Sequence, residues 1–157
     1  MLIRRMTAAD IASVAELEAR VFSVPWSEQG FADTLYREDV LFFVAYEEEK
    51  LLGYAGVYCT ADEGEITNIA VSPSARRHGV GHALMEALVN ALACRQIDRI
   101  VLEVRVSNEA AIRLYEQMGF AVAGTRKNFY EKPLENAYVM VREPTVPTGG
   151  EAALSLQ

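Results

Sequence analysis

Apolar residues recur along the chain with two different periods, and these periods predict its helices and strands. A short strand is predicted over 2–6, and Thr7 then opens a helix in which Asp10 is the partner of a capping box. A second helix is predicted after Ser27, a favourable N-cap residue. The apolar positions of the first helix lie three or four residues apart: Ile11, Val14, Leu17, Val21 and Phe22.

Strand-like runs replace the helical spacing in the middle of the chain. Residues 40–60 form two apolar runs around an acidic turn, which predicts a hairpin, and "ITNIAV" (66–71) predicts the next strand. The helical period returns after Gly79. Its apolar stripe contains Val80, Leu84, Leu88, Ala91 and Leu92.

The last third of the chain alternates strands with one helix. Strands are predicted over 99–106, 120–130 and 136–142, and a helix is predicted over 108–119. Three meandering strands followed by this alternation favour an α/β fold, with three α/β/α layers and a mixed central sheet of about seven strands and four helices. We expect a single domain over 1–143.

The chain end and the overall composition narrow the class of protein. Residues 144–157 are rich in Pro, Gly and small residues, which predicts a flexible C-terminal tail. The net charge of −7 argues against a nucleic-acid binder. Because the sequence shows neither a membrane span nor a secretory signal, we expect a cytoplasmic protein without a membrane partner. The sequence does not determine the oligomeric state, and of the possible states we favour a monomer.

The two cysteines and two histidines do not predict a metal site. Cys59 and Cys94 fall in apolar segments without a CxxC motif or a Cys/His cluster. We therefore expect buried thiols in a reducing compartment, with no metal.

The segment "RRHGVG" (76–81) has the pattern R-x-x-G-x-G before a predicted helix. Its glycines allow successive amide groups to face a pyrophosphate at the positive end of the helix dipole, with arginines beside it. A solvent-exposed loop that caps an ordinary helix is the alternative. A dinucleotide fingerprint is disfavoured because Leu84 stands where that motif has its third glycine.

Several segments in a fixed order resemble the GNAT acetyltransferase superfamily, and within it the ribosomal-protein-alanine N-acetyltransferase (RimI) family. They are "NIAV", "RRHGVG", "LEVRVSN", "AIRLYEQMGF" and the closing "NFY…NAYVM", which lie within residues 2–143. The resemblance implies a GNAT fold and acetyl-coenzyme A as the acetyl donor. It implies these cofactor-binding residues: Ile69, Ala70, Val71, Arg76, Arg77, His78, Gly79, Val80, Gly81 and Asn108.

The resemblance also implies two catalytic residues, Glu103 as proton acceptor and Tyr115 as proton donor. Glu103 interrupts an apolar strand, where a partly desolvated carboxylate is expected, although an outward-facing strand residue is the alternative. Tyr115 lies on the apolar face of its predicted helix, so a packing role is compatible with a catalytic one. We expect direct transfer in a ternary complex, without an acetyl-cysteine intermediate.

The acceptor follows from the resemblance alone, which implies a protein N-terminus and favours the N-terminal alanine of ribosomal protein S18. Segments 24–31 and 126–137 are expected to be exposed loops that flank this acceptor. Their candidate contacts are Trp26, Phe129 and Tyr130, with Glu28 or Glu131 available for a basic side chain. Each aromatic residue has the alternative role of anchoring its loop. A small-molecule amine, a lysine side chain and a non-catalytic acetyl-CoA-binding module remain as alternatives.

Overall fold

The computed structural model describes residues 1–144, and its elements follow the predicted order. The strands are β1 (Leu2–Arg5), β2 (Val40–Glu47), β3 (Lys50–Cys59), β4 (Glu63–Val71), β5 (Arg99–Arg105), β6 (Ala121–Glu131) and β7 (Leu134–Arg142). The helices are α1 (Ile11–Val21), α2 (Glu28–Thr34), α3 (Val80–Cys94) and α4 (Glu109–Gln117). Apart from Pro144, the predicted tail lies outside the described residues.

The predicted capping pair connects the first strand to the first helix. The Asp10 carboxylate accepts a hydrogen bond from the Thr7 main-chain N–H at 2.8 Å, and the Arg4 guanidinium donates to both carboxylate oxygens at 2.8 and 2.9 Å. The Tyr46 hydroxyl donates to the same group at 2.8 Å. Burial alone would raise the pKa of Asp10, but these donors lower it well below its usual range. The ionised carboxylate therefore joins β1, α1 and β2.

All seven strands join one sheet in the order β1-β2-β3-β4-β5-β7-β6. Neighbouring strands are antiparallel except β4 and β5, which run parallel and are connected through α3. A parallel pair needs such a crossover because the chain must return to the same end of the sheet. The mixed sheet predicted from the order of elements is confirmed.

The sheet has an apolar core on each face, which confirms the three layers. Helices α1 and α2 cover one face, and α3 and α4 cover the other. Large buried residues of the α1–α2 core are Leu17, Phe31, Phe42 and Tyr54, and those of the α3–α4 core are Leu84, Leu88, Leu92, Leu102 and Tyr115. Within residues 1–144, none of the helices combines the length and the apolar character that crossing a membrane would need.

Three local expectations are wrong. Segment 126–137 is not a loop, because β6 and β7 extend through most of it as a hairpin. Segment 24–31 contains the first turn of α2 and ends on the fully buried Phe31. Cys94, expected to be buried, is exposed at the end of α3, whereas Cys59 is half-buried. The apolar neighbours of Cys94 fill the buried side of α3, and the helical period turns Cys94 away from it.

Candidate active site

Strands β4 and β5 pair over only part of their length. Four residue pairs join them, from the Glu63–Arg99 pair to the Ile66–Leu102 pair. Beyond these, β4 pairs with β3 alone and β5 pairs with β7 alone. Within residues 1–144, the segment 67–71 therefore has no strand partner on its β5 side. We call this opening at the carboxyl ends of the two strands the β4–β5 gap.

The predicted phosphate-binding loop, residues 76–81, connects β4 to α3 through a short 3₁₀ turn. Gly79 is the N-cap of α3 with a φ of 79°, a left-handed conformation that glycine adopts without steric cost. Apart from Gly79 itself and its two chain neighbours, no described atom lies within 4 Å of the position that a Cβ at Gly79 would take. The side chains of Arg76, Arg77 and His78 are exposed. Open space and exposed cations thus lie at the positive end of a 15-residue helix.

Gly81 and Asn108 lie at the first turns of α3 and α4. A Cβ at Gly81 would lie 3.1 Å from Leu114 Cδ2 and 3.8 Å from Val71 Cγ2, so glycine allows α3 to approach both β4 and α4. Asn108 is the N-cap of α4, and its Oδ1 accepts a hydrogen bond from the Ala111 main-chain N–H at 3.2 Å. This capping role of the exposed Asn108 was not part of the sequence-based expectation.

Glu103 lies on the face of β5 opposite to Leu102 and Val104, which belong to the α3–α4 core. The Glu103 side chain is only 14% exposed, and its Oε1 is 3.7 Å from Arg126 Nε. Burial raises the pKa of Glu103, the charge of Glu65 raises it further, and Arg126 opposes both. Glu103 is therefore a partly desolvated carboxylate on the α1–α2 side of the sheet, rather than an outward-facing strand residue.

Tyr115 is buried in the α3–α4 core, with its ring centre 5.9 Å from that of Phe120. Burial raises the pKa of Tyr115, and nearby Tyr130 raises it further. Tyr130 also senses the charge of Glu103, which raises the pKa of Tyr130. The two predicted catalytic residues thus lie on opposite sides of the sheet.

The predicted acceptor contacts divide into one anchored and two more accessible aromatic residues. Trp26 packs in the α1–α2 core, with its ring 5.3 Å from Phe31 and 6.3 Å from Phe42. Phe129 is 41% exposed and meets the half-buried Tyr130 edge-on at 5.0 Å. The packing of Trp26 therefore fits the alternative role, in which this residue anchors its segment on the core. The two predicted acidic contacts are both exposed: Glu28 and Glu131.

A buried polar cluster next to β4 was missed by the sequence reasoning. Glu18 on α1 is 2% exposed, and it accepts hydrogen bonds from the Trp26 main-chain N–H at 2.9 Å and from the Tyr54 hydroxyl. The Asn68 Nδ2 lies 3.5 Å from Glu18 Oε1. The cluster links α1, the segment before α2 and β4. Its sequence signal is a carboxylate four residues after Val14, within the apolar stripe of α1.

Comparison with known proteins assigns the family. Residues 11–120 match the acetyltransferase (GNAT) family. The chain belongs to the GNAT acetyltransferase family. This membership confirms the predicted enzyme class and fold. GNAT acetyltransferases use acetyl-CoA as the acetyl donor.

Individual GNAT proteins agree with this assignment. The chain is 38% identical over 128 residues to the ribosomal protein bS18-alanine N-acetyltransferase of Escherichia coli (strain K12), covering 82% of this chain and 86% of the relative. The crystal structure of the ribosomal-protein-S18-alanine N-acetyltransferase from Escherichia coli has a TM-score of 0.82 and 34% identity, covering 94% of this chain and 97% of that one. The predicted resemblance to this branch of the GNAT family is confirmed.

A more distant GNAT structure shares the fold. Arabidopsis thaliana NAA60 in complex with acetyl-CoA has a TM-score of 0.79 at 18% identity, covering 89% of this chain and 96% of that one. At this identity the likeness shows the fold alone. Among residues 1–144, no group of three or more His, Cys, Asp or Glu side chains is arranged to hold a metal ion.

Proposed function

We propose that this protein transfers the acetyl group of acetyl-CoA to the α-amino group of a protein N-terminus, with the N-terminal alanine of ribosomal protein S18 as its preferred acceptor. The observation that carries the proposal is the half-buried Glu103 on β5, next to the β4–β5 gap. A carboxylate with a raised pKa in this position suits proton abstraction from an amine. The acceptor is supported by the relative from Escherichia coli, which is named for this modification.

The residues around the gap fit acetyl-CoA. The main chain of Ile69, Ala70 and Val71 would lie along the pantetheine arm, where β4 lacks a partner on its β5 side. The pyrophosphate would lie over residues 76–81, where the space above Gly79 is open. Asn108 would contact the cofactor from the start of α4. Bound there, acetyl-CoA supplies an acetyl thioester.

Glu103 would prepare the acceptor amine for attack. An α-amino group has a pKa of about 8, so a large fraction is protonated at neutral pH and has no free electron pair. Glu103, directly or through a water molecule, would take this proton. Its raised pKa brings the base closer to the amine in proton affinity than an exposed glutamate would be.

Tyr115 would supply the second proton. As the amine nitrogen forms its bond to the acetyl carbon and the carbon–sulfur bond breaks, the Tyr115 hydroxyl would donate its proton to the departing thiolate. Burial raises the pKa of Tyr115, so the hydroxyl is protonated at neutral pH. A main-chain N–H of residues 69–71 would stabilise the developing negative charge on the acetyl oxygen.

Direct transfer is supported by the state of the cysteines. Burial raises the pKa of Cys59, which disfavours its thiolate, and Cys94 is exposed at the far end of α3 from the phosphate-binding loop. A variant with both cysteines replaced by serine is expected to retain turnover. Complete loss of activity in a folded double variant would contradict direct transfer.

The proposed function is tested by following free thiol release with acetyl-CoA and three acceptors in turn. These are a peptide that begins Ala-Arg-Tyr and contains an internal lysine, the same peptide with a blocked N-terminus, and spermidine. We expect release with the free peptide only, and mass spectrometry should place the acetyl group on its N-terminus. Equal rates on the blocked and free peptides would indicate lysine acetylation, and turnover with spermidine alone would indicate a small-molecule acceptor. The absence of turnover with all three, alongside tight binding of acetyl-CoA, would favour a non-catalytic module.

A further inference from the structure

The strand that carries Glu103 also holds the turn of the β6–β7 hairpin. Arg105 lies two residues beyond Glu103, on the same face of β5. Its guanidinium donates to the main-chain carbonyl oxygens of Pro133 at 2.9 Å and Lys132 at 3.2 Å. It also donates to Glu135 Oε1 at 3.2 Å. One side chain of β5 therefore binds both the turn and the beginning of β7.

The same guanidinium packs against an aromatic ring of β6. Arg105 Cζ lies 4.2 Å from the centre of the Tyr130 ring, within the range of a favourable cation–π contact. Burial raises the pKa of Tyr130, the charge of Arg105 opposes this, and the charge of Glu103 adds to it. We call the Tyr130 ring together with the hairpin turn the acceptor-side wall, and Arg105 contacts both parts of it.

Glu135 extends this connection toward the cofactor side. Its Oε2 accepts a hydrogen bond from the Ser107 main-chain N–H at 2.8 Å, while Oε1 accepts from Arg105. The bond from Ser107 lowers the pKa of Glu135 most, and the bond and the charge of Arg105 lower it further, so the carboxylate is ionised at neutral pH. Ser107 directly precedes Asn108, the N-cap of α4. Glu135 therefore joins the hairpin to the turn from which Asn108 would contact the cofactor.

We propose that Arg105 is a positioning residue that sets the acceptor-side wall of the site, and that Glu135 couples this wall to the cofactor-side turn. This inference rests on the proposed function, because it concerns how the acceptor is held near Glu103. Arg105 acts through Tyr130 and the hairpin turn. Its loss should therefore weaken acceptor binding while acetyl-CoA binding is preserved, whereas loss of Glu135 should weaken both.

The test compares steady-state constants of Arg105→Gln, Arg105→Lys and Glu135→Ala for the Ala-Arg-Tyr peptide and for acetyl-CoA. In Arg105→Gln we expect the KM for peptide to rise about fivefold or more, with the KM for acetyl-CoA changed by less than about twofold. Lysine should not restore peptide binding, because it lacks both the planar fork and the stacking surface of arginine. Glu135→Ala should raise both KM values.

Arg99→Gln is the matched control. Arg99 lies at the opposite end of β5 and also forms ion pairs, with Glu63 and with Glu143. It should alter neither KM, and its Tm gives the stability cost of losing an arginine from β5. The proposal is overturned if the peptide KM of Arg105→Gln stays within about twofold of the wild type, or if both KM values rise together with a larger fall in Tm than in the control.

Two readouts keep the inferences separate. Turnover of the free peptide by the wild type tests the proposed function. The ratio of variant to wild-type KM, taken with whichever amine the wild type accepts, tests the positioning role. If Arg105→Gln does not fold, Arg105→Lys, which keeps the charge, carries the same comparison. An unchanged amine KM in that variant contradicts the proposal.

Discussion

The predicted phosphate-binding loop and the β6–β7 hairpin would flank the same proposed site, and they are built differently. Residues 76–81 present main-chain groups and open space at the start of α3, where Gly79 has no described neighbour within 4 Å of a Cβ position. The hairpin is organised by side chains, chiefly Arg105 through its bonds to the turn and its contact with Tyr130. A ligand at the loop would contact main-chain groups that are close together in the sequence. A ligand at the hairpin would contact side chains that are far apart in the sequence.

We call the loop the cofactor half and the hairpin the acceptor half of the proposed site. Their difference affects how well each half tolerates amino-acid substitutions. A main-chain site depends on a few residues whose backbone conformation is special, and most neighbouring side chains are replaceable. A side-chain site depends on residues far apart in sequence, such as Arg105 and Glu135, which must be altered together to preserve their contact. Acceptor preference should therefore change among relatives more readily than cofactor use.

The largest expected effect belongs to neither half, because Glu103, the proposed base, lies on β5 beside the β4–β5 gap. Glu103→Gln should lower kcat by about 10²–10⁴-fold, since it removes the proton acceptor while keeping nearly the same shape. The binding of acetyl-CoA, measured by calorimetry, should be unchanged. A folded variant that keeps more than about one tenth of the wild-type kcat would show that Glu103 is not the base.

The acceptor half should respond to loss of the Tyr130 ring. We expect Tyr130→Ala to raise the KM for the Ala-Arg-Tyr peptide by about tenfold or more, because a half-buried aromatic contact is lost. The KM for acetyl-CoA should stay within about twofold of the wild type. Val122→Ala, on the exposed part of the same strand, is the control and should change neither constant. Equal increases in both constants would remove the division between the two halves.

The cofactor half should respond to a single added methyl group. Gly79→Ala should raise the KM for acetyl-CoA by about fivefold, because alanine in a left-handed conformation costs about 1–2 kcal/mol and its methyl group enters the space assigned to the pyrophosphate. Gly119→Ala is a matched control, since Gly119 has a φ of 91° but lies after the C-terminus of α4. It should lower Tm without changing either KM. A similar rise in the acetyl-CoA KM in both variants would point to general strain.

The smallest expected effect is a pair of opposite shifts in the pH profile. Activity should fall at acidic pH as Glu103 becomes protonated. Removal of the negative charge in Glu65→Gln should lower the pKa of Glu103 and move the acidic limb of kcat/KM to lower pH. Removal of the positive charge in Arg126→Gln should raise that pKa and move the limb to higher pH. Shifts in the same direction in both variants would contradict the assignment of this limb to Glu103.

Local and long-range features of the molecule also differ in how well the sequence alone predicts them. The order of strands and helices followed from local periodicity, and the capping residues Thr7, Asp10 and Ser27 predicted helix starts correctly because their hydrogen bonds are local. The open glycine loop before α3 is equally local. These features depend on residues within a few positions of one another, so one sequence suffices to predict them.

The surroundings of Glu103 could not be predicted in the same way. Arg126 is 23 positions away in sequence, and Arg105 meets Glu135 across 30 positions. These contacts depend on the strand order β5-β7-β6, which places β7 between the other two. The sequence predicts a loop over 126–137 because the turn and the charged residues of the hairpin mask its strand pattern.

The partial pairing of β4 and β5 has a consequence for the cohesion of the whole sheet. In the described part of the chain, four residue pairs join the block of strands β1 to β4 to the block of β5, β7 and β6. Amide protons that face the gap have no strand partner to slow their exchange with water. A donor molecule lying there would bridge the two blocks, and a ligand at 100 times its Kd stabilises the folded state by about 2.7 kcal/mol. Resistance to unfolding would thus rise with the free concentration of acetyl-CoA, so that the lifetime of the enzyme, as well as its rate, depends on the supply of its donor.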